Sequence, residues 1–122
     1  LPERDHGVTV GRVVAKPYSP RSKFDISFNA AVMRPNEAGD VIVALFKNKV
    51  CVAAKIIRCP EIAVPVEVSL TYHDKDRQRS QESFTVKIGP ASHHAGEIVV
   101  NPQAHNLYGM SETTFSLREF GY

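Results

Sequence analysis

Five histidines, His6, His73, His93, His94 and His105, are the first residues to weigh for chemistry. Neutral imidazole is the commonest metal ligand and the side chain that titrates nearest physiological pH. His93 and His94 are adjacent, so in an extended segment their rings point to opposite faces and do not grip one ion without a turn. No HxH or HExxH spacing accompanies them. They read as solvated loop residues; the rival reading is a metal or subunit-interface site. Nucleophilic catalysis has no better support. The serines form no GxSxG elbow, and Cys51 sits in an apolar run, where a thiol is usually inert. Asp74 and Asp76 flank Lys75, but calcium takes about six to eight oxygens. The stretch Asp74–Gln81, DKDRQRSQ, therefore reads as a solvated loop. No acidic pair has surroundings that would raise one carboxyl pKa for glycoside hydrolysis. These residues predict a protein that is not an enzyme, with no catalytic residue, no metal and no cofactor.

Cys51 and Cys59 lie eight positions apart on one predicted strand. A rise of ~3.3 Å per residue would hold them ~26 Å apart, whereas a disulfide needs Cα atoms within roughly 7 Å. They read as two free, mostly buried thiols; a bridge would require a sharp bend or a second subunit.

The elements that would position any site are strands. The run Asp40–Cys59, DVIVALFKNKVCVAAKIIRC, is dense in Val and Ile, whose branching at Cβ suits a pleated surface. It predicts a hairpin with arms Asp40–Phe46 and Val50–Cys59 and a polar tip, Lys47-Asn48-Lys49, in which Asn tolerates a positive φ. Upstream, Val8–Lys16 reads as a first strand with a bulge at Gly11, followed by a loop carrying two prolines, KPYSPRSK. Phe24–Met33 alternates cleanly: Phe24, Ile26, Phe28, Ala30 and Val32 on one face, Asp25, Ser27, Asn29, Ala31 and Met33 on the other. The second face is wet or subunit-facing. Arg34–Gly39 is a turn.

Downstream of the hairpin, Val64–His73 places Val64, Val66, Val68, Leu70 and Tyr72 against Glu67, Ser69, Thr71 and His73, with Pro65 near its start, where strand prolines are tolerated. Ser83–Ile88 turns Phe84, Val86 and Ile88 inward and Thr85 and Lys87 outward. Ala91–Gly96 reads as a loop, Glu97–Val100 as a short strand, Tyr108-Gly109 as a bend and Thr113–Phe120 as the last strand. No stretch of ten residues sustains helical periodicity, so the chain is all-β, an antiparallel sandwich or barrel.

At 122 residues this is a single domain, residues 1–122, with 1–7 frayed. Hydrophobic residues at 43% and charged residues at 23% are ordinary globular usage and argue against disorder. A net charge of +2, with no basic cluster interleaved with aromatics, argues against nucleic acid as a partner. No apolar run approaches about 18 residues, so no membrane span is expected. The opening LPERDHGVTV has no basic n-region and apolar h-region, and it lacks an initiator Met; it reads as the start of a fragment or a processed product. Val41–Phe46 and Val52–Ile57 carry apolar side chains on both faces, Ala44, Phe46 and Ile57 among them, with Ala31, Met33 and Tyr108 adding to the count elsewhere. Such strands lie either at the centre of a sandwich or against another chain, and closed cyclic symmetry is the usual form of such an assembly.

The order of motifs, FDISFNAAVM, GDVIVALFKNKVCVAAKII, VPVEVSLTYHD, SFTVKIGP, GEIVVNP and LYGMSETTFSLREFGY, resembles the tumour-necrosis-factor-like jelly roll. The similarity is to its microbial and phage branch of fibre tips and spore-surface glycoprotein tips. There, an ALFKNG-like turn precedes an FTVRIGP-like strand, a short strand, a Gly-Gly bend and a closing strand. The matching stretches here are Ala44–Lys49, Phe84–Pro90, Glu97–Pro102, Tyr108–Met110 and Thr113–Phe120, within a resemblance that spans Phe24 to Tyr122. Lys49, Pro102 and Met110 stand where that pattern has glycine.

The resemblance implies a two-sheet antiparallel jelly-roll sandwich of ten strands that assembles as a homotrimer and is not an enzyme. It implies a virion or extracellular-surface protein, a knob for attachment to a receptor or glycan. A capsid or capsid-decoration protein and a monomeric carbohydrate-binding module are the alternatives. By position, Phe46, Tyr72, Tyr108, Phe115 and Phe120 are the expected subunit contacts. Tyr18, His73, Arg77, His93, His94 and Asn106 are the expected recognition residues.

Overall fold

The computed structural model of the chain describes residues 8–74, 81–90, 98–100 and 114–120. Eight strands lie among them: β1 (Val8–Ala15), β2 (Lys23–Met33), β3 (Val41–Lys47), β4 (Val50–Ile57), β5 (Val66–Asp74), β6 (Glu82–Pro90), β7 (Val99–Val100) and β8 (Thr114–Phe120). One sheet has the order β1-β6-β3-β4. In the other, β2 pairs with β5 on one side and with both β7 and β8 on the other. Every pairing is antiparallel. Followed along the chain, the path runs from the first sheet to the second at β2, back for β3 and β4, over to β5, back to β6 and over again to β7 and β8. That is the crossing pattern of a jelly roll. No helix among the described residues is long and apolar enough to cross a membrane.

The alternation read along β2 is the axis of the core. Phe24, Ile26, Phe28, Ala30 and Val32 are buried, and they meet Val41, Val43 and Leu45 of β3, Val68 and Leu70 of β5, and Phe84, Val86 and Ile88 of β6. Full burial of such side chains stabilises by about 1.5–3 kcal/mol each. Phe24 and Phe84 join the two sheets edge to face, with ring centroids 5.9 Å apart at 81°. Phe28 and Phe115, opposite each other on β2 and β8 within one sheet, also meet edge to face, at 6.0 Å and 83°.

Two irregularities bend the sheets onto this core. The β1–β6 ladder shifts register between Thr9 and Gly11, the bulge expected at Gly11. Phe115 explains the glycine: a Cβ there would lie 2.7 Å from its Cδ2. In the central hairpin, Leu45 pairs with Ala53 and Phe46 with Cys51, leaving Val52 as the extra residue. The tip is one residue shorter than expected, because Lys47 pairs with Val50 and only Asn48 and Lys49 turn. Asn48 carries the positive φ, 55°, so Lys49 in a glycine position of the resembled family has no left-handed conformation to adopt.

Two expectations need correction. The second arm of the hairpin ends at Ile57 rather than Cys59, although Cys59 remains buried and its carbonyl accepts a hydrogen bond from Gly39 N–H at 3.0 Å. Asp74 is not part of a solvated loop. It closes β5, its carboxylate is buried, and Lys47 Nζ lies 2.8 Å from its Oδ2. The cause is the pairing of Asp74 with Phe24, which carries the last residue of β5 in among the core phenylalanines. The Arg34–Gly39 turn, for its part, hides a cation: Arg34 is 3% exposed, with Nη2 2.9 Å from Glu37 Oε1. The bend expected at Tyr108-Gly109 and the Ala91–Gly96 loop lie outside the described residues, and Cys51 and Cys59 are both free thiols.

Candidate functional site

Each sheet has an outward face, and each face gathers polar residues that lie far apart in the sequence. On the β5-β2-β8 sheet, register sets them in rows. Asp25 stands between His73 and Arg118, Ser27 between Thr71 and Ser116, and Asn29 between Ser69 and Thr114. Directly opposed residues bring their Cβ atoms to about 4.5–5.5 Å, so each row is one continuous patch. His73 Nδ1–H donates to Asp25 Oδ1 at 2.6 Å. The Arg118 guanidinium lies 5.7 Å from the centroid of the Phe120 ring, a cation–π contact. Asn29 Nδ2 reaches Ser27 Oγ and Thr114 Oγ1, each at 3.4 Å. Tyr18 closes the same end of the sandwich: its backbone N–H donates to Glu119 Oε2 at 2.6 Å. The result is a surface of hydroxyls and amides with a charged row at one end, which offers hydrogen bonds and ion pairs.

The outward face of the β1-β6-β3-β4 sheet is different. Thr9, Arg12, Phe46, Asn48, Ser83, Thr85 and Lys87 line a depression of about 230 Å³. Arg12 and Thr85 are ladder partners, as are Thr9 and Lys87, so β1 and β6 build its walls together. Arg12 Nε–H donates to Ser83 Oγ at 3.1 Å, which orients the guanidinium plane. Asn48 fixes the rim. Its backbone N–H donates to Ser83 O at 2.6 Å, Ser83 N–H returns a bond to Asn48 Oδ1 at 3.0 Å, and Asn48 Nδ2 donates to Glu82. Phe46, the ladder partner of Thr85 and Cys51, lies beneath these residues and is only 1% exposed.

The expected site residues scatter across this frame. Tyr18, 81% exposed, and the exposed His73 stand at the same end as Phe120, which shares the outward face of its sheet with His73. Among the expected subunit contacts, Tyr72 and Phe115 face inward and pack against the core. Phe46 is covered within the chain, so the single chain already uses these three aromatics for its own packing. Tyr108, Arg77, His93, His94 and Asn106 lie outside the described residues. Sequence reasoning missed Thr9, Arg12, Asn48 and Ser83 as a group, and likewise Asp25 with Arg118. The outward direction of Thr85, Lys87 and Arg118 was a usable signal, but their neighbours come from strands joined only in three dimensions: Arg12 and Ser83 are 71 positions apart.

No group of three or more His, Cys, Asp or Glu able to hold a metal ion occurs among the described residues. Burial pushes the Cys59 thiol above its ordinary pKa; the Arg34 charge pulls it down, and Asp40 adds to the rise. Among known proteins, no family model matches the chain and no curated protein matches it in sequence.

Proposed function

We propose that this chain is a non-enzymatic structural protein of a virion or cell surface, the jelly-roll knob of a homotrimer that works by attachment. What supports the reading is the strand order, β1-β6-β3-β4 over β5-β2-β8, two antiparallel sheets of the kind that the resemblance to fibre tips implies. The surfaces agree with a binding role. Both outward faces present fixed hydroxyl, amide and charged groups on strands rather than on loops, an arrangement suited to recognition. Val50 and Ile56, 64% and 61% exposed on the edge strand β4, and Phe120 on the opposite sheet are the apolar surface that neighbouring copies would cover.

A second reading, a monomeric carbohydrate-binding module, is favoured by one specific observation. Ala44 and Phe46, the residues that make β3 apolar on both sides, are 2% and 1% exposed in the chain alone. They need no neighbour to shield them. A capsid or decoration protein with this strand order is a third reading; it predicts a large shell. The solution mass separates the three. About three times 13.5 kDa supports the knob, 13.5 kDa the module, and a shell of many copies the capsid protein.

A further inference from the structure

We infer that copies of this chain join edge to edge, β4 of one copy adding as an antiparallel strand to β1 of the next, so that one head-to-tail contact repeated three times closes the ring. The inference rests on the trimer reading and deepens it by naming the contact. The four strands of the first sheet alternate in direction, so its two edge strands, β1 and β4, run oppositely. With a three-fold axis along the strands, β4 therefore meets the neighbour's β1 in antiparallel sense, and the sheet continues across the contact. The second sheet offers no such seam, because β5 and β8 both oppose β2 and run the same way. Contact between two unlike patches is the kind that closes into rings.

Exposure singles out the same two edges. The exposed large apolar and aromatic side chains among the described residues are Val14, Tyr18, Val50, Ile56, Ile62 and Val64. Val14 is on β1, and Tyr18 follows it in the connection whose backbone binds Glu119 of β8. Val50 and Ile56 are on β4, and Ile62 and Val64 lie in the connection from β4 to β5. β1 lies beside β8 and β4 beside β5, so the six divide between the two lateral edges of the sandwich. A two-fold pairing of β4 with β4 would leave Val14 and Tyr18 in water, whereas the head-to-tail contact draws on both edges. Edge strands that stay single often carry charge that repels a neighbour. β4 has one charged residue, Lys55, and its Nζ donates to Ser69 O at 3.3 Å, drawn across to β5. Ladder partners followed across the sheet put Val50 on the rung of Val13, Cys51 on that of Arg12, and Ala54 on that of Thr9. At equal height the seam thus sets no like charges opposite each other, and Val50 stands one rung from Val14.

The test is disulfide trapping of the full chain in a Cys51→Ser background, with the mass measured by sedimentation on the same samples. Directly opposed strand residues have Cα atoms about 4.5–5.5 Å apart, within the roughly 4.4–6.8 Å that a disulfide spans. Thr9 and Ala54 are both exposed. Thr9→Cys and Ala54→Cys in one chain are expected to give, on oxidation, a covalent species of three chains on a non-reducing gel, and neither substitution alone gives a cross-link. A covalent dimer from Ala54→Cys alone reveals the two-fold pairing and overturns the inference. Val14→Lys and Val50→Lys, at exposed positions of the two edges, are each expected to reduce the mass from about three times 13.5 kDa to 13.5 kDa with the circular dichroism unchanged. A trimer that gives no cross-link between the two new cysteines, or that withstands both lysines, overturns the seam and leaves the assembly standing. An unsubstituted chain of 13.5 kDa overturns the trimer reading itself, and the seam with it.

Discussion

Lys47 and Asp74 show what one buried contact does in a sandwich this small. They end strands of opposite sheets, and their charges meet at 2.8 Å with the carboxylate out of water. Removing the lysine takes away one charge-assisted partner of this buried carboxylate, and such a contact is worth about 1.5–3 kcal/mol. Lys47→Met is therefore expected to lower unfolding free energy by about 1.5–3 kcal/mol in urea titrations; a loss below about 0.5 kcal/mol would show that the pair is dispensable.

Cys59 makes a pH-dependent prediction. Its pKa is raised in the folded chain, so its contribution is complete below the unfolded thiol value, about 8.5, and is lost as pH rises through the folded value. As pH rises above the unfolded thiol value the chain should lose stability that a Cys59→Ala variant does not lose, read as the difference in their urea midpoints. At neutral pH an alkylating reagent should reach the half-buried Cys51 in the native chain and Cys59 only after unfolding, as peptide mapping would show.

At the scale of the element, alternation made the strands legible and pairing did not. The inward set of β2 and the inward Phe84, Val86 and Ile88 of β6 follow from period-two spacing, and the structure buries them all. Spacing within one strand carries no information about its partner. Hence the row His73–Asp25–Arg118 and the wall Arg12–Thr85 were invisible, and Asp74 looked like the first residue of a charged loop. The aromatics show the same gap. Phe115 was read as subunit surface, yet its ring takes the place that a side chain on Gly11 would occupy. Gly11→Ala should destabilise by about 1–3 kcal/mol through overpacking, and Phe115→Leu in the same chain should recover part of that loss in a double-mutant cycle. Additive costs would mean that the two residues do not compete for space.

For the whole molecule, the strand order makes two sheets with unlike exteriors, one carrying rows of polar residues, the other holding a depression lined by Thr9, Arg12, Phe46, Asn48, Ser83, Thr85 and Lys87. The fold class was readable because eight short β segments separated by Pro and Gly turns leave few architectures. Assembly was not, because the two-sided apolar character of β3 that suggested a neighbour is largely satisfied inside one chain. The knob reading therefore depends on what covers Val50, Ile56 and Phe120. Sedimentation equilibrium of the purified chain addresses that directly. The account predicts a species of about three times 13.5 kDa that persists on dilution; a stable 13.5 kDa species at every concentration would contradict it.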